Sequence, residues 1–313
     1  MNTLNKMKQL YWKLRVDFPI WLDSRMPRPY LKLWKHYLAR SEKAKRAAIM
    51  RLYELTFGYE FDWEAPQTFN EKIQWLKLYG DLPLMTRLAD KYLVREYVRE
   101  KIGEKYLVPL LGVWDTAEEV DFDPLPQQFV LKANHGSGMN LIVTDKSALD
   151  LKAARKKLKA WLKENFAWYF MELQYRDIPP KIIAEKYLEN ENGDLYDYKI
   201  WCFDGKPKFI QFLSDRQTGL KMAFYDLDWK KLDFTYNYPK NEKEVQRPDN
   251  LDELLEKAEI LAQGFPHVRV DFYRLSDGEL KFGEMTFSAM SGFCLWNPRE
   301  MDSELGKLFS VKN

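Results

Sequence analysis

The sequence predicts an α+β protein of two subdomains, and three observations carry that expectation. Short apolar runs recur in pairs around Asn, Asp and Gly turns, so each pair reads as an antiparallel hairpin. Single helical stretches separate the hairpins, a pattern that argues for α+β rather than for a doubly wound parallel sheet. A chain of 313 residues with 46% hydrophobic side chains is also long and apolar enough to bury a large core.

Composition narrows the class. Aromatic residues make up 15% of the chain, which marks it as globular rather than disordered. No apolar run approaches the ~18 residues that a membrane-spanning helix needs. Lys6, Lys8 and Lys13 precede no uninterrupted apolar core, so a secretory signal is not expected. Two cysteines, Cys202 and Cys294, are too few for a disulfide framework and fit a reducing cytoplasm. His36, His135 and His267 are scattered without zinc spacing.

The net charge of +2 hides an asymmetry: residues 1–55 hold thirteen Lys/Arg against four Asp/Glu, a net +9, so the remainder carries about −7. Leu4, Met7, Tyr11, Leu14 and Phe18 recur near helical spacing among Lys6, Lys8, Lys13 and Arg15. Such a basic amphipathic helix either packs on the body with a solvated basic face or lies on an anionic membrane surface. Nucleic acid is not an expected partner, because the rest of the chain is acidic.

In chain order, residues 29–57 read as one or two helices, with Trp34, Tyr37, Leu38, Ile49, Leu52 and Tyr53 facing inward. Thr68-Phe-Asn-Glu71 is a capping box opening a helix that ends at Gly80. A second helix is expected over 84–102, carrying Asp90-Lys91 in its middle and stopping at Gly103. Val108–Trp114 is strand-like, and Pro109 confines it to an edge or a strand end. After a hairpin over 129–143, Leu151, Ala154, Leu158 and Trp161 mark the buried side of a helix with a solvated face of Arg155, Lys156, Lys157 and Lys159. A strand at 181–188 is followed by a polar turn. Hairpins are then expected over 197–213, 222–234 and 267–286, with a capped helix from Asn250 to Gly264 between the last two.

Two of these hairpins carry candidate chemistry. In Phe129–Val143 the apolar runs flank a small loop, Asn134-His-Gly-Ser-Gly-Met139, and Lys132 ends the first strand. Glycines let backbone N–H groups approach an anion closely, so the loop is either a phosphate grip or an ordinary turn beside a surface lysine. It is neither a Walker loop nor a Rossmann fingerprint. In the last hairpin, strand alternation puts Arg269 with Asp271 and Glu284 with Thr286 on common faces. Two carboxylates on rigid strands are hard oxygen ligands suited to Mg²⁺, and Arg269 can add a phosphate-matching fork.

Taken in order, Asp90-Lys91, Val108-Pro109, Lys132 with its glycine loop, Glu185-Lys-Tyr-Leu188, Arg269-x-Asp271 and Glu284-x-Thr286 resemble the ATP-grasp superfamily. The segments FNEKIQWLKLYGDLPLMTRLADKYLVREYV, FVLKANHGSG, DYKIWCFDGKPKFIQ and FGEMTFSAMSGF more narrowly resemble the TupA-like ATP-grasp proteins of bacterial polysaccharide gene clusters, over about residues 66–300. The resemblance implies two α+β subdomains holding ATP between them behind an N-terminal helical extension. It implies that Lys91 and Lys132 grip the nucleotide phosphates, and that the loop with His135, Gly136, Ser137 and Gly138 covers them. Glu185, Lys186 and Leu188 match the hinge that reads the adenine edge. Asp271 and Glu284 match the magnesium ligands, and Arg269 the arginine near the transferred phosphate. Thr286 departs from the superfamily, where asparagine is usual, which leaves a second metal in question.

The domain division expected from this is 1–65, basic extension; 66–125, helical pre-grasp region; 126–188, lid with phosphate loop; and 189–313, metal-bearing subdomain. The implied function is an ATP- and Mg²⁺-dependent carboxylate–amine ligase working through an acyl-phosphate. The family context adds an amino acid or other amine as one partner and a uronic-acid glycan, free or lipid-linked, as the other. Lys199, Arg216 and Ser288 are candidates for the acceptor side. A cytoplasmic enzyme touching the inner membrane face through residues 1–20 would suit such a substrate. Two other readings stand beside this one. Asp226-Leu-Asp228 is the Asp-x-Asp that a metal-dependent glycosyltransferase would need, and a nucleotide-binding subunit without catalysis is the third.

Overall fold

The computed structural model describes Leu38 and residues 41–188, 195–214 and 221–311. The expected basic helix over 1–20, the turn at 189–194 and Arg216 lie outside the described residues.

Helix α1 (Glu42–Phe57) opens with Ser41, whose hydroxyl accepts from Ala44 N, and closes on Gly58 in the left-handed region. It buries Ile49, Leu52 and Tyr53 together with Leu38, as their spacing predicts. Helix α2 (Phe69–Tyr79) begins at the expected capping box, with the Thr68 and Glu71 side chains each bonded to the other's backbone N–H. Asp302 adds a further cap by accepting from Asn70 N at 2.9 Å.

The single helix expected over 84–102 is two helices, α3 (Leu82–Ala89) and α4 (Val94–Lys101). Asp90 causes the break: its Oδ1 accepts from Tyr92 N and Leu93 N at 2.8 and 3.2 Å, replacing helical bonds with a side-chain turn. Lys91 N turns outward and donates to Asn134 O at 3.1 Å.

Two antiparallel sheets carry the rest. The four-stranded sheet has the order β1-β4-β2-β3, from β1 (Leu110–Trp114), β2 (Phe129–Ala133), β3 (Asn140–Val143) and β4 (Ile182–Lys186). β1 is an edge strand, as Pro109 requires. One face of this sheet packs Phe129, Leu131, Val143, Ile182 and Ala184 against Ala154 and Leu158 of α5 (Leu151–Trp161). Two readings of α5 change: Leu151 is 45% exposed, and Arg155 donates to the carbonyls of Ala117, Glu118 and Val120 instead of lying free in solvent. The short helix α6 (Ala167–Phe170) follows, ending on Met171 in the left-handed region.

The second sheet has the order β11-β10-β5-β6-β7-β8, from β5 (Tyr196–Phe203), β6 (Lys206–Ser214), β7 (Lys221–Tyr225), β8 (Lys231–Leu232), β10 (His267–Arg274) and β11 (Leu280–Thr286). A small ribbon pairs β9 (Thr235–Tyr236) with β12 (Trp296–Asn297). All three expected hairpins form. One sheet face packs Ile200, Cys202, Ile210, Val268 and Val270 under α7 (Leu251–Ala262). Asn250 precedes α7 without capping it, because its side chain is spent on Gly278 O and Arg274 Nε. The other face packs Trp201, Phe203, Phe209 and Phe224 under α2 and the C-terminal helix α8 (Met301–Gly306).

The cap supplied by Asp302 gives a pH test. Burial pushes its carboxyl up from 3.8 to about 6, against the hydrogen bonds from Asn70 and Thr68. The folded state therefore holds this proton more tightly than the unfolded chain does. Stability linked to the group is full below about pH 4 and is lost as pH rises to about 6. Asp302→Asn keeps an acceptor for Asn70 N without a charge. Its melting temperature should exceed that of the parent above pH 6.5, by the equivalent of roughly 2 kcal/mol, and match it near pH 4. Parallel melting curves across that range would remove Asp302 as the cause.

Candidate active site

The site is assembled where the α3–α4 break meets one end of each sheet. On the β10–β11 hairpin, Arg269 lies opposite Thr286 and Asp271 opposite Glu284. A bulge at Gly283 sets this register; a side chain there would press on Asp271 O at 3.2 Å. β5 places Lys199 opposite Asp271 from the other side. The inner strands thus have an aromatic end around Trp201 and His267 and a charged end around Asp197, Lys199, Arg269 and Asp271.

At the charged end most groups are already committed. Arg269 grips Asp271 with both arms at 2.8 Å and reaches Glu284 Oε1 at 3.2 Å and Thr286 Oγ1 at 3.1 Å. Lys199 donates to Asp271 and pairs with Asp197 at 2.9 Å. Asp271 is 2% exposed, whereas the Glu284 side chain keeps 35%. Burial alone would raise the Glu284 carboxyl, but Lys91, Arg269, Lys199 and the Thr286 hydroxyl outweigh it and hold the group at about 2. Glu284 is therefore a permanent anion facing outward, and Asp271 is an internal counter-ion.

That distribution bears on a metal ion. Among the described residues no three acids, histidines or cysteines converge into a cage. One outward carboxylate with a threonine hydroxyl beside it fits a cation whose remaining ligands come from a bound phosphate. Both Asp271 oxygens are occupied by Arg269 and Lys199, so Asp271 joins such a set only if one of them lets go.

The four-stranded sheet faces this cluster with its own charges. Lys132 Nζ donates to Glu185 Oε2 at 2.6 Å, and Arg95 Nη1 donates to Glu185 Oε1 at 3.1 Å. Lys186 and Leu188 follow on the strand and its exit, with Lys186 N donating to Pro109 O at 2.9 Å. Lys91 joins the two sheets: its Nζ donates to Gly136 O at 2.8 Å and lies 3.8 Å from Glu284 Oε2.

The loop between β2 and β3 is held tightly at its base and open at its tip. His135 is 2% exposed, with one ring nitrogen against Asn134 Oδ1 and the other against Trp161 O, both at 3.1 Å. Its ring therefore serves the fold, and only its backbone is available to a ligand. Gly136 is closely packed: a Cβ would fall 2.8 Å from the Met139 Cε methyl, which would have to shift, and 3.1 Å from Phe166 Cβ. Ser137 is exposed, and Gly138 has a φ of 76°.

Three other candidates sit in internal contacts. Ser288 is 3% exposed; it donates to Glu172 Oε1 at 2.6 Å and accepts from Gln174 at 2.7 Å, contacts that serve the fold. Lys199 is equally an internal pair of Asp271 and Asp197. Asp226 Oδ1 accepts from Asp228 N at 3.0 Å and Lys230 N at 2.7 Å, which spends the Asp-x-Asp on its own turn.

Sequence reasoning missed Arg95 and Asn134. Asn134 donates to Asp90 Oδ1 and Pro179 O, both at 3.0 Å, and accepts from Lys181 N at 2.7 Å. Its place beside the glycine loop was the only available signal.

A family model described as TupA-like ATPgrasp matches residues 71–310. Among solved structures the chain is similar to a D-alanine–D-alanine ligase from Bacillus anthracis, at 20% identity over 75% of this chain and 66% of that one, TM-score 0.44. It is similar to an ADP complex of N5-carboxyaminoimidazole ribonucleotide synthetase, at 15% identity over 77% of this chain and 56% of that one, TM-score 0.42. A third is the ATP-grasp ligase PsnB complexed with a phosphomimetic variant of its minimal precursor, Mg and ADP, at 13% identity over 76% and 64%, TM-score 0.41. The chain thus spans less than two thirds of the length of each of these structures. No curated protein matches the sequence.

The turn at Asp226 yields a direct test. Asp226→Ala removes two hydrogen bonds from an exposed turn and should cost roughly 1 kcal/mol in denaturant unfolding. Asp228→Asn should cost nothing measurable, and neither change should alter the affinity for Mn²⁺ or for a nucleotide sugar. Loss of Mn²⁺ binding in either variant would return the glycosyltransferase reading.

Proposed function

The chain belongs to the TupA-like ATP-grasp family, and from that premise we propose that it is an ATP- and Mg²⁺-dependent carboxylate–amine ligase. One observation carries the reading: the Lys91 ammonium stands between the carbonyl of Gly136 on the glycine loop and the outward carboxylate of Glu284. A polyphosphate that enters there finds loop N–H groups on one side and a cation-binding carboxylate on the other.

Each residue then has a task. Lys91 and Lys132 bind the nucleotide phosphates, with loop residues 134–140 closing over them. Glu185, Lys186 and Leu188 line the adenine edge. Mg²⁺, held by Glu284 with Thr286 beside it and Asp271 behind, neutralises phosphate charge when bound. Arg269 sits where charge gathers on the transferred phosphoryl group, fixed in advance by Asp271 and so needing no reorganisation. The substrate carboxylate takes the γ-phosphoryl group and ADP leaves. The amine then attacks the acyl carbon, phosphate departs, and the amine loses its proton. Alignment and charge neutralisation suffice for this chemistry, which needs no side-chain nucleophile.

The substrates follow from family context: an amino acid or similar amine, and a uronic-acid glycan precursor, free or on a lipid carrier. The four-stranded and six-stranded sheets are read as the two lobes that close on the nucleotide. No helix among the described residues is long and apolar enough to cross a membrane. Residues 1–20, with their basic amphipathic pattern, are proposed to touch an anionic membrane face, each basic residue adding about 1 kcal/mol at low salt.

Isothermal calorimetry tests the nucleotide site. ATP with Mg²⁺ should bind the parent chain, lose at least tenfold in affinity in Lys132→Ala, and lose its Mg²⁺ dependence in Glu284→Gln. If both variants bind like the parent, the site lies elsewhere. For the membrane contact, vesicles with anionic lipid should sediment the full chain at low salt and release it at high salt. Equal sedimentation after deletion of residues 1–20 would end that part of the proposal.

A further inference from the structure

Arg95 lies in the first turn of α4, four residues beyond Lys91, and is 8% exposed. Its guanidinium forks: Nη2 donates to Val108 O at 2.8 Å, and Nη1 donates to Glu185 Oε1 at 3.1 Å. Glu185, itself 7% exposed, receives Lys132 on its other oxygen at 2.6 Å. One buried carboxylate thus stands between two cations. A salt bridge this deep is weak evidence of stabilisation, because desolvating three charges offsets much of their attraction. What the arrangement does fix is direction. Val108 precedes Pro109, whose carbonyl is bound by Lys186 N, so Arg95 ties the Glu185 side chain to the same backbone that positions the hinge.

An ionised carboxylate only accepts hydrogen bonds. Held in place with a cation on each oxygen, it welcomes an amino edge and repels a carbonyl edge. Building on the ATP reading above, we propose that Arg95 is a positioning residue that makes the Glu185 site select a 6-amino purine over a 6-oxo purine. Lys132 is assigned to the phosphates in that reading, whereas Arg95 holds the opposite oxygen of Glu185 and is itself anchored on Val108 O.

The experiment compares Mg²⁺-dependent binding of ATP, GTP and inorganic tripolyphosphate to the full chain, to Arg95→Lys, to Arg95→Met, and to Glu185→Gln with and without Arg95→Met. The expected result is an ATP-over-GTP preference that falls at least tenfold in Arg95→Met and is partly restored in Arg95→Lys. Tripolyphosphate affinity should stay within twofold, because the phosphate grip is untouched. In the Glu185→Gln background, adding Arg95→Met should change the preference no further. The inference fails if the preference survives in Arg95→Met, or if tripolyphosphate binding drops along with ATP binding, as general damage to the fold would cause. Should Arg95→Met not fold, an unchanged preference in Arg95→Lys overturns the proposal and a reduced one supports it. A parent chain that binds tripolyphosphate but neither nucleotide would overturn the purine reading itself, a result distinct from all of these.

Discussion

The site depends on one buried side chain, Asn134, more than on any of its charged groups. With no exposure at all, it satisfies Asp90 and Pro179 through its amide N–H groups and Lys181 through its oxygen. Those three bonds fix the α3–α4 break against the base of the glycine loop and against the start of β4. With the break fixed there, Lys91 lies at the loop, and Arg95, near the start of α4, reaches Glu185 of β4. A short polar residue that can donate twice and accept twice is needed, because each partner is a backbone group or an acid that would otherwise be buried unpaired.

Much of this was legible in the sequence, and the legible parts share a cause. The capping box at Thr68 and the tight turn of the hairpin over 197–213 are set by residues within a few positions of each other. Strand alternation alone put Arg269 and Asp271 on one face. The family resemblance added the order of elements, which local patterns could not supply.

What was hidden depended on partners distant in the chain. The apolar spacing over 84–102 is helical on both sides of Asp90, and the bond from Asn134, 44 residues on, that holds Asp90 in its side-chain turn could not be read from neighbours. His135 looks like a loop residue by position, yet its ring is captured by Trp161 O, 26 residues on. Lys199 and Ser288 carry chemistry-bearing groups, and their burial in pairs could not be read from neighbours. The Lys77 side chain, wholly buried and donating to Phe170 O and Ser291 O, gave no signal at all.

The self-pairing of the charged end has a consequence for how any polyanion would be received. Lys91, Lys132 and Arg269 are not bare cations awaiting a ligand; each already holds a carboxylate or a carbonyl. An arriving phosphate chain therefore exchanges one anion for another and displaces little condensed counter-ion. Its affinity should vary with ionic strength far less steeply than three exposed cations would dictate. Glu284 would keep Arg269 and the Thr286 hydroxyl as partners if Lys91 turned to such a chain, so only part of its charge compensation would be given up.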